Sequence, residues 1–350
     1  MIMPVVYVAD QGCSISKKGD RLYVYKGINL LRWFHTKDIS QLIVVGNVAI
    51  SSPALTYLLK HKIDTVFLSY YGKYKGRLVG EFGKNVELRV NQYHYFSDIA
   101  NREQLASAYV AGKIQNMQTH LQKRLKRNKH PLLWAPYLQN QAILEKIRAT
   151  YISMQVIRGY EGITAKNYFS AFPAMIFQTE FKFSGRNRRP PKDEVNALLS
   201  LGYTLLMNQV MAAANIVGLD PFIGALHDLS YGRQSLVLDL MEEFRPLVDN
   251  LVISLINRKE IRMEHFAYNL IPDEESTAED IDADTKLLPV SLKPDGMKIL
   301  ITSFAKLVNS RFTLKNPEGD WTLRDIFELQ ARRLVKQIQG SDQYAPFMWN

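Results

Sequence analysis

One histidine and a group of acids further along the chain have residue types and spacing that could hold a metal ion. His227 follows a helix-breaking turn, GLDP at 218–221, and Asp239, Glu242 and Glu243 lie in the next predicted helix. Offsets of three and four residues place side chains on the same face of a helix. An imidazole facing two carboxylates offers the mixed nitrogen and oxygen ligands that bind divalent metals. Acids at this spacing also occur on solvated helix surfaces, and the spacing leaves both interpretations open.

A further candidate is Glu161, which lies in RGYEGITAKNYF between Gly159 and Gly162. We interpret this acid as standing between two helical patterns, where flanking glycines permit a close approach of the backbone. The alternative is an acid that caps a helix or lies in its first turn, where the helix dipole favours negative charge.

Two basic groups could contact phosphates. Arg186, Arg188 and Arg189 lie in SGRNRRPPKDE, where consecutive prolines prevent a helix and leave the guanidinium groups on a loop. The second group ends a predicted long helix and comprises Lys123, Arg124, Lys126, Arg127 and Lys129. The alternatives are a loop that only increases solubility and a helix end that complements its own dipole.

The overall charge favours a polyanionic partner. The 350 residues contain 44 Lys and Arg against 34 Asp and Glu, and seven of the acids fall within residues 273–284. The rest of the chain therefore has 27 acids against 44 bases, a formal net charge of +17. A field of this size attracts polyanions, although a basic surface that is merely soluble is an equal alternative. We expect residues 273–284 to form an exposed acidic loop.

Composition excludes several classes of protein. Hydrophobic residues make up 47% and charged residues 22%, which is typical of a globular chain with proper cores. Cys13 is the only cysteine, which excludes a disulfide framework and a thiolate zinc site and fits a reducing cytoplasm. Neither a glycine-rich phosphate loop nor a serine-hydrolase elbow is found. The first residues lack the pattern of a secretory signal, so we expect a cytoplasmic location.

The predicted elements divide the chain into a β-rich domain, residues 1–95, and a larger all-α domain, residues 96–350, which together give an α+β fold class. Short β-branched and aromatic runs in the first part predict strands, a hairpin turn at 17–20 and a helix at 54–60. The strands fall at residues 5–9, 21–25, 42–45 and 65–68. In the second part, apolar residues from Ala106 to Leu125 recur every three or four positions and predict a long helix. Further helices are predicted at residues 141–158, 164–176, 195–217, 236–257, 299–308 and 322–339.

One segment could span a membrane by length, because residues 195–219 contain no charged side chain. However, Asn196, Ser200, Thr204 and Asn208 recur every four residues and would form a polar stripe, which is costly against lipid. We therefore predict a buried central helix and no membrane association. Its polar face would line a wet cavity or be hydrogen-bonded inside the protein.

Four segments resemble, in their order and separation, the CRISPR-associated integrase that inserts new spacers into the repeat array, protein one of the adaptation pair. They are RGYEGITAKNYF, RRPPKDEVNALLSLGYTLL, GLDPFIGALH and LDLMEEFRPLVD, and the similarity extends to VGNVAISSPALTYLL, GKYKGRLVG and QYAPF. The resemblance implies that the β-rich domain forms a two-fold homodimer and that the helical domain holds one metal site. It also implies double-stranded DNA as substrate and a small dimer of CRISPR-associated protein two that joins two integrase dimers.

By the same resemblance, the catalytic residues and metal ligands would be Glu161, His227 and Glu242, with Asp239 and Glu243 as alternatives for the third position. Two carboxylates and one imidazole leave open positions on Mg²⁺ or Mn²⁺. The implied reaction is transesterification of a phosphodiester by a DNA 3′-hydroxyl, and water in place of the hydroxyl gives endonuclease activity. The phosphate contacts near the metal would be Arg186, Arg188, Arg189 and Arg245. The contacts at longer range would be Lys123, Arg124, Lys126 and Arg127.

Two other functions remain open at this point. A transposon-encoded integrase would share the catalytic domain and its ligands. A noncatalytic nucleic-acid-binding scaffold would use the same basic surface while its acids were structural.

Overall fold

The structure is a computed structural model. It describes residues 5–39, 41–70, 72, 74–80, 85–126, 130–187, 191–268 and 290–349. The acidic segment 273–284, expected to be an exposed loop, lies outside the described residues.

Two four-stranded sheets form the first part of the chain. Their strands are β1 (Val5–Val8), β2 (Cys13–Lys18), β3 (Arg21–Lys26), β4 (Asn29–His35), β5 (Gln41–Val45), β6 (Val48–Ile50), β7 (Asp64–Leu68) and β8 (Tyr74–Leu78). One sheet has the order β1-β5-β7-β8, with β8 antiparallel to its neighbour, and the other has the order β4-β3-β2-β6. The predicted strands and the β2–β3 hairpin are confirmed, and α1 (Ser52–Lys60) matches the predicted short helix.

Both faces of the first sheet are buried. Neighbouring residues of a strand point to opposite faces, so alternate side chains enter different cores. In β5, Leu42 and Val44 belong to the core between the two sheets, whereas Ile43 and Val45 belong to the core of the helical part. The sheet therefore shares a core with the helices. The predicted boundary at residue 95 falls inside the helix Val86–Ser97, and the division into domains stays a prediction.

Helices dominate the rest of the chain, and the predicted α+β class is confirmed. They are α2 (Val86–Ser97), α3 (Ile99–Leu125), α4 (Pro131–Ala149), α5 (Met154–Ser170), α6 (Phe172–Met175), α7 (Glu194–Val217), α8 (Ser235–Met241), α9 (Arg245–Asn257), α10 (Pro294–Val308) and α11 (Leu323–Ile338). This part is not all-α, because it also contains two small antiparallel sheets. Their strands are β9 (Phe266–Ala267), β10 (Ser291–Leu292), β11 (Arg311–Lys315) and β12 (Glu318–Thr322).

The helix predicted at 141–158 is wrong, because α4 ends at Ala149 and α5 begins at Met154. The backbone is extended at Thr150, and Glu103 of α3 accepts a hydrogen bond of 2.8 Å from the N–H of Met154. A tertiary contact thus satisfies the first turn of α5, and no local sequence signal encodes it.

The helix predicted at 236–257 is interrupted by a short 3₁₀ turn, Glu242–Phe244, between α8 and α9. Pro246 has no N–H to donate to the carbonyl of Glu242, and the N–H of Arg245 donates to that carbonyl instead. The proline therefore tightens the chain at Glu242.

Helix α7 is long and apolar enough to cross a membrane by length and composition, but 78% of its most apolar stretch is buried inside the protein. Its predicted polar stripe is hydrogen-bonded within the protein. Asn196 Oδ1 accepts from Arg186 and from the N–H of Asn187, and Asn208 Nδ2 donates to the carbonyl of Thr204. These contacts support the prediction of a buried central helix.

Candidate active site

Glu161 lies within α5, three residues after Arg158, rather than between two helices as the sequence analysis expected. Gly159 and Gly162 are ordinary helical positions where an added Cβ would meet no atom within 4 Å. The side chain of Glu161 is 30% exposed and forms an ion pair with Lys113 of α3. This carboxylate therefore lies at the surface end of a contact that reaches into the core.

Glu242 lies in the 3₁₀ turn, and its side chain is only 4% exposed. Its Oε1 accepts a hydrogen bond of 2.8 Å from Arg245 Nε, and its Oε2 lies 2.6 Å from Lys113 Nζ. Burial alone would raise the pKa of Glu242, but Arg245 and Lys113 outweigh it and lower the pKa to about 2. The carboxyl group is therefore ionised across the physiological pH range.

Lys113 joins the two acids through one ammonium group, and its side chain is 6% exposed. Burial alone would lower the pKa of Lys113, but Glu242 and Glu161 outweigh it and raise the pKa above its ordinary value. Helices α3 and α5 and the 3₁₀ turn thus meet at a single buried cation.

His227 is held by Asp239 of α8. Its Nδ1 lies 2.6 Å from Asp239 Oδ1, and Asp239 also accepts hydrogen bonds from the N–H groups of Ala225, Leu226 and His227 at 2.6, 3.0 and 3.1 Å. Gly224 is required here, because a Cβ at this position would lie 2.4 Å from Asp239 Oδ2. With Nδ1 engaged, the other ring nitrogen, Nε2, is the one available to a ligand, as in carboxylate–histidine–metal arrangements.

The neighbouring acids Asp239, Glu242 and Glu243 each contact a different part of the protein. Asp239 is fully buried and orients the loop that carries His227. Glu243 is also fully buried and accepts hydrogen bonds from Gln330 Nε2, Tyr344 Oη–H and the N–H of Phe347. Burial raises the pKa of Glu243 to about 8. Glu242 is the acid that shares a cation with Glu161.

The donor set fits a divalent cation, but the side chains are not arranged around one. In the part of the chain that the structure describes, no three His, Cys, Asp or Glu side chains form a group able to hold a metal. Glu242 Oε2 is buried and accepts no hydrogen bond of good geometry from the described residues, so its close partner there is the Lys113 ion pair. Carboxylate oxygens and an imidazole nitrogen suit Mg²⁺ or Mn²⁺, provided that the Lys113 ammonium moves from between the acids.

Two of the arginines predicted to contact phosphates lie on one aromatic ring. Arg245 Cζ lies 4.8 Å from the centre of the Tyr203 ring, and Arg186 Cζ lies 5.4 Å from it. Arg186 also donates to Asn196 Oδ1 and Ser200 Oγ. Arg245 is buried and paired with Glu242, so its geometry is that of a residue supporting the site rather than a surface contact.

The basic residues at the end of α3 differ in burial and in their contacts. Arg124 is buried and donates to Asn250 Oδ1 and His120 Nε2, and Lys123 lies 4.0 Å from the centre of the Trp349 ring. Lys126, at the helix end, is exposed. Arg127, Arg188 and Arg189 lie outside the described residues. A role of these residues in DNA binding stays a prediction.

Lys113 was missed by the sequence analysis, although the sequence holds a signal for it. It is the one Asp, Glu, Lys or Arg between residues 105 and 121, and it lies three residues after Val110 on the apolar face of the helix. A lone charge on a buried helix face requires a partner, because an unpaired buried charge is very costly. The sequence does not identify that partner, since Glu161 and Glu242 are both distant along the chain.

Known proteins resemble this chain over nearly its whole length. A family model described as CRISPR associated protein Cas1 matches residues 6–306. A CRISPR-associated endonuclease Cas1 of Thermus thermophilus is 33% identical over 347 residues, which cover 98% of this chain and 96% of the relative. Another, of Chlorobaculum tepidum, is 32% identical over 357 residues, with 98% of each chain covered.

Solved structures share the fold. A casposase bound to integration product has a TM-score of 0.82 at 23% identity, with 99% of this chain and 95% of the other covered. A Cas1 protein from Thermotoga maritima has a TM-score of 0.78 at 22% identity, with coverage of 98% and 99%. The family model and the full-length relatives agree with the resemblance found in the four sequence segments. The chain therefore belongs to the Cas1 family of CRISPR-associated proteins.

Proposed function

We propose that this protein is a metal-dependent DNA endonuclease and integrase that joins short DNA fragments, the spacers, into a CRISPR array. The observation that carries the proposal is the meeting of Glu161 and Glu242 at one buried cation, with His227 held by Asp239 of α8, the helix that directly precedes Glu242. Family membership supports the same activity, because the full-length relatives are named endonucleases and the casposase is described with an integration product.

Glu161, His227 and Glu242 would hold Mg²⁺ or Mn²⁺. When bound, the ion would lower the pKa of the attacking hydroxyl and offset the charge that develops on the phosphate. Asp239 engages Nδ1 of the imidazole, so Nε2 is the nitrogen that would bind the ion. Arg245 donates a hydrogen bond to Glu242 and lowers the pKa of that carboxyl group, which favours its ionised, metal-binding form.

The reaction we propose is attack by a DNA 3′-hydroxyl on a phosphodiester, with water as the nucleophile in plain cleavage. The chain itself would bind and orient the phosphates. Arg186 is a candidate for this role, because it shares the Tyr203 ring with Arg245 and is only partly buried. Arg188 and Arg189 follow it in the sequence, and Lys126 marks the exposed end of α3.

We also propose that the first part of the chain forms a homodimer, which a small dimer of CRISPR-associated protein two would join to another. The edge strand β4 and its preceding turn carry a cluster of exposed apolar side chains, which supports this arrangement. Their exposed fractions are 96% for Ile28, 48% for Leu30, 44% for Leu31 and 44% for Trp33. An exposed apolar edge strand is a surface that another chain commonly covers.

A strand-transfer assay tests the proposed activity. The purified protein is incubated with its small partner, a short duplex with free 3′-hydroxyl groups and a plasmid that carries a repeat, with Mg²⁺, Mn²⁺ or EDTA. We expect the duplex to be joined to the plasmid only when metal is present. Without the small partner, we expect the protein to nick the plasmid, again only with metal. DNA binding with neither nicking nor joining in any metal would indicate a noncatalytic scaffold instead.

A further inference from the structure

The last described residues, 344–349, run along α3 and contact the turn that carries Glu242. We call them the strap. The N–H of Phe347 donates to Glu243 Oε2 at 3.0 Å, and the Phe347 ring stacks on Phe244 with centroids 5.2 Å apart. Both contacts are with the two residues that directly follow Glu242 in the chain.

Asn116 of α3 connects the strap and the turn. Its Nδ2 donates to the carbonyls of Glu243 and Phe347 at 2.7 and 2.9 Å, and its Oδ1 accepts from the N–H of Trp349 at 2.7 Å. The side chain is fully buried, and these bonds use both amide hydrogens. Asn116 is one helical turn from Lys113, so its hydrogen bonds lie close to the place where Lys113 meets Glu242.

At Gly112, helix α3 lies against both the strap and the turn. A Cβ at this residue would lie 2.5 Å from Pro346 Cβ and 3.5 Å from Glu243 Cβ. The first distance is too short for two non-bonded carbon atoms, so a side chain on residue 112 must displace Pro346. Glycine therefore lets the strap lie directly on the helix.

We infer that the strap is a positioning element, which acts through Asn116 and Pro346 to hold Glu242 at a fixed distance from Lys113 and Glu161. No residue of the strap needs to touch DNA for this role. The inference rests on the proposed function for its catalytic consequence, whereas its structural part concerns the turn alone. A ligand displaced by about 1 Å can lower a rate by about 100-fold.

Gly112→Ala is the variant that tests the inference, because it adds a single methyl group against Pro346. Gly296→Ala is the matched control. Gly296 lies in α10, away from the strap. A Cβ at this position would lie 2.8 Å from both His265 Cβ and Leu292 Cδ2. Pro346→Gly, made in the Gly112→Ala background, removes the atoms with which the new methyl group collides.

The structural readout is amide-resolved hydrogen exchange of Phe347, Trp349 and Arg245. The Arg245 N–H donates to the carbonyl of Glu242 and reports the turn itself. We expect all of these amides to exchange faster in Gly112→Ala, and the Arg245 amide to regain protection in the double variant. Gly296→Ala should leave the exchange at Arg245 unchanged even though it lowers the melting temperature. Two results would overturn the inference. In the first, the Phe347 and Trp349 amides of Gly112→Ala exchange freely while its Arg245 amide stays protected. In the second, the Arg245 amide of the double variant does not regain protection.

The kinetic readout separates this inference from the proposed function. We expect kcat for DNA cleavage to fall by about 100-fold in Gly112→Ala, with little change in the Kd for DNA, and to recover in the double variant. Wild-type kcat in a variant whose strap has lost protection would contradict the positioning role. If the wild-type protein cleaves no DNA, the proposed function fails, while the exchange of the Arg245 amide still decides whether the strap holds the turn.

Discussion

Lys113 Nζ lies 2.6 Å from Glu242 Oε2 and also contacts Glu161, so one buried ammonium group pairs with both carboxylates. A divalent ion at the proposed site would pair with the same two carboxylates. We therefore expect the lysine and the ion to compete for this pair of acids.

Replacing Lys113 with Met should make the stability of the protein depend on metal. Two buried or half-buried carboxylates would lose their shared partner, and we expect a loss of about 3 kcal/mol in the free energy of unfolding in EDTA. Added Mn²⁺ should raise the melting temperature of this variant more than that of the wild type. Urea unfolding with and without Mn²⁺ measures both effects. Lys306→Met, at an exposed position of α10, serves as control, and an equal Mn²⁺ effect in all three proteins would argue against competition.

Glu243→Gln should alter how stability depends on pH. Burial raises the pKa of Glu243 from its ordinary value of 4.5 to about 8, so the folded protein binds this proton more tightly than the unfolded chain does. Its contribution is fully present below about pH 4.5 and is lost as the pH rises through about 8. In denaturant titrations, the free energy of unfolding of the wild type should therefore fall more than that of Glu243→Gln between about pH 5 and about pH 8.5. This range spans most of the interval between the ordinary and the raised pKa of Glu243. Parallel curves for the two proteins would show that Glu243 is ionised throughout.

DNA binding should weaken steeply with salt, because the charge of the chain attracts the DNA backbone rather than particular bases. Each neutralised phosphate of duplex DNA contributes roughly −0.9 to the slope of log K against log salt concentration. Changing Arg186, Arg188 and Arg189 together to Gln should flatten that slope by up to about 2.7. Fluorescence anisotropy at several salt concentrations provides the slopes. If they coincide, these arginines contribute to solubility or to the fold.

The proposed homodimer should depend on the exposed apolar side chains of β4. Leu30→Glu places a charge on the edge of the sheet, where a partner chain would have to bury it, and we expect monomers in light scattering. Ile216→Glu, at a position of α7 that is 64% exposed, is the control and should remain dimeric. The experiment uses the full chain, because Ile43 and Val45 of the sheet pack into the core of the helical part. A fragment without the sheet would expose that core to solvent. A Leu30→Glu protein that remains dimeric would place the interface elsewhere.

Local patterns predicted much of the fold and several site residues. The β-branched run at 42–45 and the periodicity of α3 arise from neighbours in the sequence, and the structure contains both features. The break between α4 and α5 was not predictable in this way, because Glu103 supplies it from another helix.

The site shows the same division. Motif spacing singled out Glu161, His227 and the acids near Glu242, but it could not rank Asp239, Glu242 and Glu243. Their ranking depends on partners that are distant in sequence: Asp239 faces the His227 loop, Glu243 faces the strap, and Glu242 faces Lys113.

Binding of Mn²⁺ to the purified protein, followed by electron paramagnetic resonance, tests the proposed metal site most directly. We predict a single Mn²⁺ ion per chain in the wild type and in Glu243→Gln. Glu161→Ala, His227→Ala and Glu242→Ala should each lose the ion and, with it, DNA cleavage. Because the ligands act as a unit, a double variant should be little worse than a single one. Wild-type Mn²⁺ affinity in any of the three alanine variants would contradict the assignment of that residue, and retention in all three would contradict the metal site itself.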